Sequence, residues 1–224
     1  MAARVFQFAV EVTITIALVC CLCWYIYYQL KRKNVFKHLK KILIHKWWVF
    51  YYCCRCGIIW QGIKHDMSKF SPTEFIESIK YYQGNRSPID ACKEENGYSM
   101  AWQHHKGRNM HHYEHWTDNY DSGTTYIIMP FKYALEMLCD YMGAARAYMG
   151  KDFTFAKEHD WWVNIKEPTV QSMHWVIKNF MNDALCDIAN NEKRFNKKYL
   201  KSIYDHYIEL YDQILIDHNN KEEE

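Results

Sequence analysis

The sequence predicts an all-α bundle carrying an N-terminal hydrophobic helix long enough to cross a membrane. Three observations lead there. Strand patterning is nearly absent; apolar residues recur every three or four positions through most of the chain after Lys33; and no charged residue occurs from Val12 to Leu30. As a helix, that run of 19 residues spans about 28 Å, close to the roughly 30 Å of a bilayer core.

Taken in order, residues 1–33 read as a membrane anchor helix and its basic flank. Trp24, Tyr25, Tyr27 and Tyr28 close the run as an interfacial belt, and Lys31, Arg32 and Lys33 follow, against Arg4 alone before it. That bias predicts a single-pass protein whose C-terminal domain is cytoplasmic, with residues 12–30 as its membrane partner. Glu11 stands near the start of the run, where a carboxylate reaches the interface.

Residues 34–218 are expected to form one helical domain, with 219–224 as an acidic tail. Val35 to Ile63 reads as one long helix whose inner face carries His45, Val49, Tyr52 and Cys56. Ser71, Pro72 and Glu74 spell an N-cap, a first-turn proline and a capping-box acid, and start a helix to about Tyr82. Gln83 to Pro88 opens a loop. Ser99 caps a helix to Gly107, a short helix holds His111 to Trp116, and Asp118 to Thr125 reads as a loop. Pro130 starts a helix through Tyr148, Pro168 one to about Asn190, and Asn196 to His218 is the last.

Composition sets limits on function. The 224 residues suit one domain plus an appendage, and 49% hydrophobic content supplies its core. A formal charge of +2 argues against a nucleic-acid footprint. The nine cysteines cluster inside apolar stretches, which argues against a disulfide framework or a zinc knuckle and for a reducing compartment.

The chemistry concentrates in histidines and carboxylates: seven of 12 histidines lie between His45 and His115. Imidazole with carboxylate is a donor set for Mn, Zn, Fe or Co, so a divalent transition metal is the expected cofactor. The candidate ligands are His45, His65, Asp66, His104, His105, His111, His112 and Asp140, with Glu136 competing for the closing position. Adjacent His65 and Asp66 on a helix would diverge by about 100°, yet could converge on an ion between helices. Lys69 and Arg108 are the cations expected to face a phosphate, and Glu114 and His115 are candidates for orienting imidazoles. Taken alone, His45 on an apolar face would read as a hydrogen-bonded core histidine. His159-Asp160 repeats the dipeptide without partners in register.

The order His45, His65-Asp66, Asp140 resembles the HD superfamily of metal-dependent phosphohydrolases, with His65-Asp66-Met67-Ser68-Lys69 in place of His-Asp-x-Gly-Lys. A closer likeness is to an uncharacterised bacterial and viral family. It shares His45-Lys46-Trp47, the stretch from His65-Asp66 through Ser68-Lys69-Phe70-Ser71-Pro72-Thr73-Glu74-Phe75, Tyr81-Tyr82-Gln83-Gly84, Ala101-Trp102-x-His104-His105-Lys106-x-Arg108-Asn109-x-His111-His112 and Met129-Pro130. This likeness covers about residues 36–148. The HD resemblance implies an HD-like bundle and hydrolysis of a nucleotide or other small phosphate-containing substrate. An HD-type di-iron oxygenase and a non-catalytic membrane-anchored helical module are the other two classes the residues admit.

Overall fold

The computed structural model of the protein describes residues 2–32 and 35–222. The boundary residues Lys33 and Asn34 and the last two residues of the acidic tail lie outside the described residues, as do the side chains of Lys31 and Arg32. Among the described residues the chain is mostly helical. The first helix, α1 (Ala2–Arg32), contains an apolar stretch, Phe6–Tyr28, of 23 residues with mean hydropathy 2.1, long and apolar enough to cross a membrane. Glu11 accepts a hydrogen bond from Gln7 at 3.2 Å one turn earlier, which satisfies one oxygen of its lone carboxylate.

The long helix expected over Val35–Ile63 is two. Helix α2 (Val35–Arg55) stops ahead of Gly57, whose φ of +66° lies in the left-handed region, and α3 (Ile59–Lys64) folds back beside it. Helix α4 (Pro72–Tyr81) begins where the sequence predicts, with the Ser71 hydroxyl accepting from the Glu74 amide. The segment opened by Pro88 is a further helix, α5 (Pro88–Asn96), capped by Ser87 and closed by Gly97. Helix α6 (Met100–Arg108) is capped by Ser99, and a single 3-10 turn holds Tyr113–Trp116.

Asp118 to Thr125 belongs to a hairpin instead of a loop: β1 (Thr117–Tyr120) pairs antiparallel with β2 (Gly123–Tyr126). Asp121 and Ser122 leave just enough chain for a two-residue reversal. Helix α7 (Phe131–Met149) follows Pro130, and α8 (Phe155–Trp161) continues into a π-helical turn. Pro168 sits in a short 3-10 turn; α9 (Trp175–Asn190) starts seven residues later, with His174 as its N-cap. Helix α10 (Lys197–Glu222) runs into the expected acidic tail.

The core forms where α2 and α7 lie face to face and α8, α9 and α10 close over them. Val49, Tyr52, Leu135, Leu138, Met142, Trp162, Phe180, Met181 and Leu185 are buried there, each large aliphatic or aromatic side chain stabilising by roughly 1.5–3 kcal/mol. The Trp162 indole donates to Asn182 Oδ1 at 2.6 Å, so its N–H is not orphaned. The α2–α7 crossing is close: a Cβ added at Gly143 would lie 2.4 Å from Val49 Cγ2 and 2.9 Å from its backbone nitrogen. This close packing sets the spacing between the site residues on the two helices, His45 on α2 and Glu136 and Asp140 on α7.

Candidate metal centre

Backbone geometry explains how neighbours His65 and Asp66 both turn inward. They are not on a helix. His65 ends α3 in an extended conformation (φ −48°, ψ 128°) and Asp66 is left-handed at φ 54°, the one such non-glycine among the described residues. A conformation of that kind costs on the order of 1 kcal/mol and persists where surroundings hold it. Both side chains are buried, His65 at 1% and Asp66 at 0% exposure.

Four atoms converge. His45 Nε2 lies 3.2 Å from Asp66 Oδ2 and 3.1 Å from Asp140 Oδ1. His65 Nε2 lies 3.2 Å from each of those oxygens and 3.3 Å from His45 Nε2. Ligands about 2.0–2.1 Å from a metal stand about 3.0 Å apart in an octahedron and about 3.4 Å in a tetrahedron. The five distances match the edges that such a coordination shell would have.

Asp66 faces a second set with its other oxygen. Oδ1 is 3.2 Å from His105 Nε2 and 3.4 Å from His111 Nε2, in hydrogen-bond geometry with neither. His111 Nε2 and His112 Nε2 are also buried without a partner. Orphaned polar atoms of this kind are uncommon in a packed interior, and a water or an ion would satisfy them. Three groups could hold a metal ion, His45/His65/Asp66/Asp140, Asp66/His105/His111/His112 and His65/His111/Glu136, and the first two share Asp66.

The outer nitrogens fix the tautomers. Glu136 Oε1 is 3.1 Å from His65 Nδ1 and 3.1 Å from His111 Nδ1, so both imidazoles donate outward to one carboxylate oxygen. Glu74 does the same for His105 Nδ1 at 2.8 Å. Each then turns an Nε2 lone pair toward the others and toward the Asp66 carboxylate. Lone pairs and anionic oxygens so arranged repel unless a cation, proton or metal, lies between them. The charges agree. Burial opposes it, but Asp66 and Asp140 hold the His65 imidazole well above its ordinary pKa. Burial likewise opposes the carboxylates, yet His65 and Lys69 hold Asp66, and His65 and His45 hold Asp140, well below theirs.

Not every predicted residue arrives. His104 points outward, with Nδ1 on Glu74 Oε1 at 2.6 Å and Nε2 accepting from Arg108 at 2.7 Å. The His104-His105 pair thus divides into one outward and one inward ring, because helical neighbours diverge. Arg108, expected at the substrate, is spent on that contact. Lys69 does reach the centre, 2.6 Å from Asp66 Oδ2; burial disfavours its charge, but Asp66 and Asp140 keep it an ammonium. His115 bonds the Lys106 carbonyl at 3.0 Å and Glu114 lines a neighbouring cavity. The orienting carboxylates are Glu136 and Glu74. Glu74 carries a capping-box signature in sequence, and its side chain is instead buried against two imidazoles. His159-Asp160 lies on α8 with Asp160 exposed, away from the cluster.

A cavity of about 510 Å³ opens beside the centre, walled by Asp140, His112, Trp102, Tyr141 and Trp161, with Arg86 and Lys166 among its lining residues. Glu158, which sequence reasoning did not single out, is buried in the same wall. Burial and then the Asp140 charge push its carboxyl up to about 8, so it is protonated at neutral pH. Its neighbour in sequence, His159, belongs to no group of candidate ligands among the described residues.

These features define a mostly helical protein with buried histidine–carboxylate clusters that could hold a metal ion. The chain belongs to a family described as a family of unknown function (DUF5662), whose model matches residues 34–191. The match begins just after α1 and extends through α9, beyond the span of the motifs. No curated protein and no solved structure matches the chain.

Proposed function

We propose that the protein is a metal-dependent phosphohydrolase of HD-like type, acting on a nucleotide or other small phosphate ester and held at the cytoplasmic face of a membrane by α1. The observation that carries this reading is the coordination-shell spacing of His45, His65, Asp66 and Asp140, in the order of the HD motif. A divalent metal bound there would lower the pKa of a bound water toward about 7 and polarise a phosphoryl oxygen.

The protein's own groups supply the rest. Glu136 and Glu74 hold three imidazoles with their lone pairs inward. The Lys69 ammonium stands at the centre, placed to neutralise charge developing on a phosphate. Glu158, protonated in the wall of the cavity that Asp140 also lines, would serve as the proton donor to a leaving group bound there, since a carboxyl with a pKa near the working pH is effective in that role. The aromatic walls, with Lys166, suit an organic group bearing a phosphate.

A screen of phosphate esters and nucleotides with Mn, Zn, Co and Fe tests the reading. Metal-dependent phosphate release that is lost in His65→Ala/Asp66→Ala is expected, and no release with any metal overturns it. The di-iron oxygenase reading is favoured by one observation: seven candidate ligands in two sets share Asp66. Tightly held iron with an oxygen-dependent optical change, and no phosphate release, would select it.

A further inference from the structure

The outer face of α2 is left uncovered by the bundle. Phe36, Leu43 and Trp47 are 70%, 52% and 61% exposed. With Leu39 and Phe50 they recur every three or four residues, so a single apolar stripe runs along the helix opposite His38, Ile42, His45 and Val49. Phe50 lies over Gly62 of α3, where Ile59, Trp60 and Ile63 are exposed as well. Scattered surface apolar residues need no explanation, but a continuous stripe that includes an exposed indole marks an interaction surface.

Charge says what covers it. From Lys31 to Lys64 the sequence has nine Lys or Arg and no Asp or Glu, in a chain whose net charge is only +2. Lys41 and Lys46 are engaged with the carbonyls of Ala147 and His65, while Lys37, Lys40 and Lys64 are exposed. A second copy of this face would set basic residues against basic residues across a two-fold axis, which is repulsive. An apolar stripe bearing Trp, Phe and Leu between lysines suits an anionic headgroup layer. Moreover, α2 starts three residues after α1 ends, so its first turn cannot stand far from whatever bilayer α1 enters.

We propose that the α2–α3 face docks onto the anionic lipid headgroups of the membrane entered by α1, burying the Phe36, Leu43 and Trp47 stripe at the acyl boundary. This rests on α1 entering a bilayer and is independent of the phosphohydrolase reading. The docked helix holds the metal centre on its opposite side, about one helix diameter, some 10–12 Å, from the headgroup plane.

The test uses the full chain reconstituted in nanodiscs of phosphatidylcholine and phosphatidylglycerol with shallowly brominated acyl chains. Tryptophan emission is compared between the wild type and Trp47→Phe. The difference, which is Trp47 emission, should be strongly quenched. Lys37→Gln/Lys40→Gln should relieve that quenching, since each basic residue near an anionic surface contributes about five-fold to the docking equilibrium. Both variants alter exposed side chains, and unchanged helicity checks their folding. An unquenched Trp47 in the wild type overturns the proposal, whether the face then proves open to water or cross-linked to a second copy. Quenching that is indifferent to both lysines and to removal of phosphatidylglycerol overturns the anionic-headgroup assignment.

Discussion

Glu136 offers the sharpest perturbation of the site, because one of its oxygens holds two imidazoles at 3.1 Å each. Glu136→Gln keeps a carbonyl oxygen that accepts from both Nδ1 atoms but removes the negative charge that strengthens those bonds and raises the basicity of the opposite nitrogens. Loss of such an outer carboxylate typically costs about 10–100-fold in metal affinity, equivalent to roughly 1.4–2.7 kcal/mol. Glu136→Gln should fall near the lower end, and Glu136→Ala, which leaves both Nδ1–H groups of two buried rings unpaired, near the upper end or beyond it. Competition against a chromophoric chelator gives the dissociation constants, with circular dichroism and thermal melting as checks on folding. If both folded variants bind metal as tightly as wild type, the inward lone pairs of His65 and His111 are not what holds the ion.

Other outcomes follow from the same geometry. Metal affinity should rise with pH. The raised imidazoles of His65 and His105 hold protons in the metal-free protein, stabilise it fully below about 6.5 and lose that effect as pH climbs through their folded values. Calorimetry in buffers of different ionisation enthalpy should accordingly detect protons released as metal binds, and proton-free binding near neutral pH would contradict this. Glu158→Gln should stabilise the metal-free protein by an amount that grows from about pH 4.3 to pH 8, because a carboxyl whose pKa is raised by folding costs stability as pH rises through that window. Melting temperatures across that range check it, and a constant difference would show that Glu158 is not held protonated. Gly143→Ala should destabilise by about 1–3 kcal/mol, since its new methyl meets the Val49 backbone, and should weaken metal binding by spreading His45 from Asp140. An unchanged melting curve would mean that α2 and α7 yield easily. Lys69→Ala should abolish phosphate release with metal retained, whereas Arg108→Ala, whose partner is His104, should leave turnover within a few fold.

Much of the fold was legible because helix starts have local causes. Ser71-Pro72, Ser99 and Pro130 mark α4, α6 and α7 within a residue or so, since caps act over one turn. The misses share another cause. Gly57 breaks the Val35–Ile63 pattern without disturbing its apolar spacing, and Pro168 permits a helix start without requiring one. The hairpin at 117–126 is mostly exposed and polar, so it carries no alternation to read. Chain order and residue type singled out His45, His65, Asp66, His105, His111, His112 and Asp140, which the fold brings together. They could not tell His104 from His105, because which ring faces inward depends on the rotation of α6. Glu74 and Glu136 were visible in the sequence only in other guises, as a capping acid and as a rival to Asp140. Their contacts bridge 31 and 71 residues, a pairing that only the folded bundle specifies.

If His65 and Asp66 anchor a bound transition metal, elemental analysis of the purified full chain beside the His65→Ala/Asp66→Ala variant will show it. Stoichiometric Mn, Zn, Fe or Co in the wild type, lost from a variant that keeps its helicity, is the predicted result. Equal metal in both proteins, or none in the wild type after growth and dialysis with each of the four metals, would contradict it.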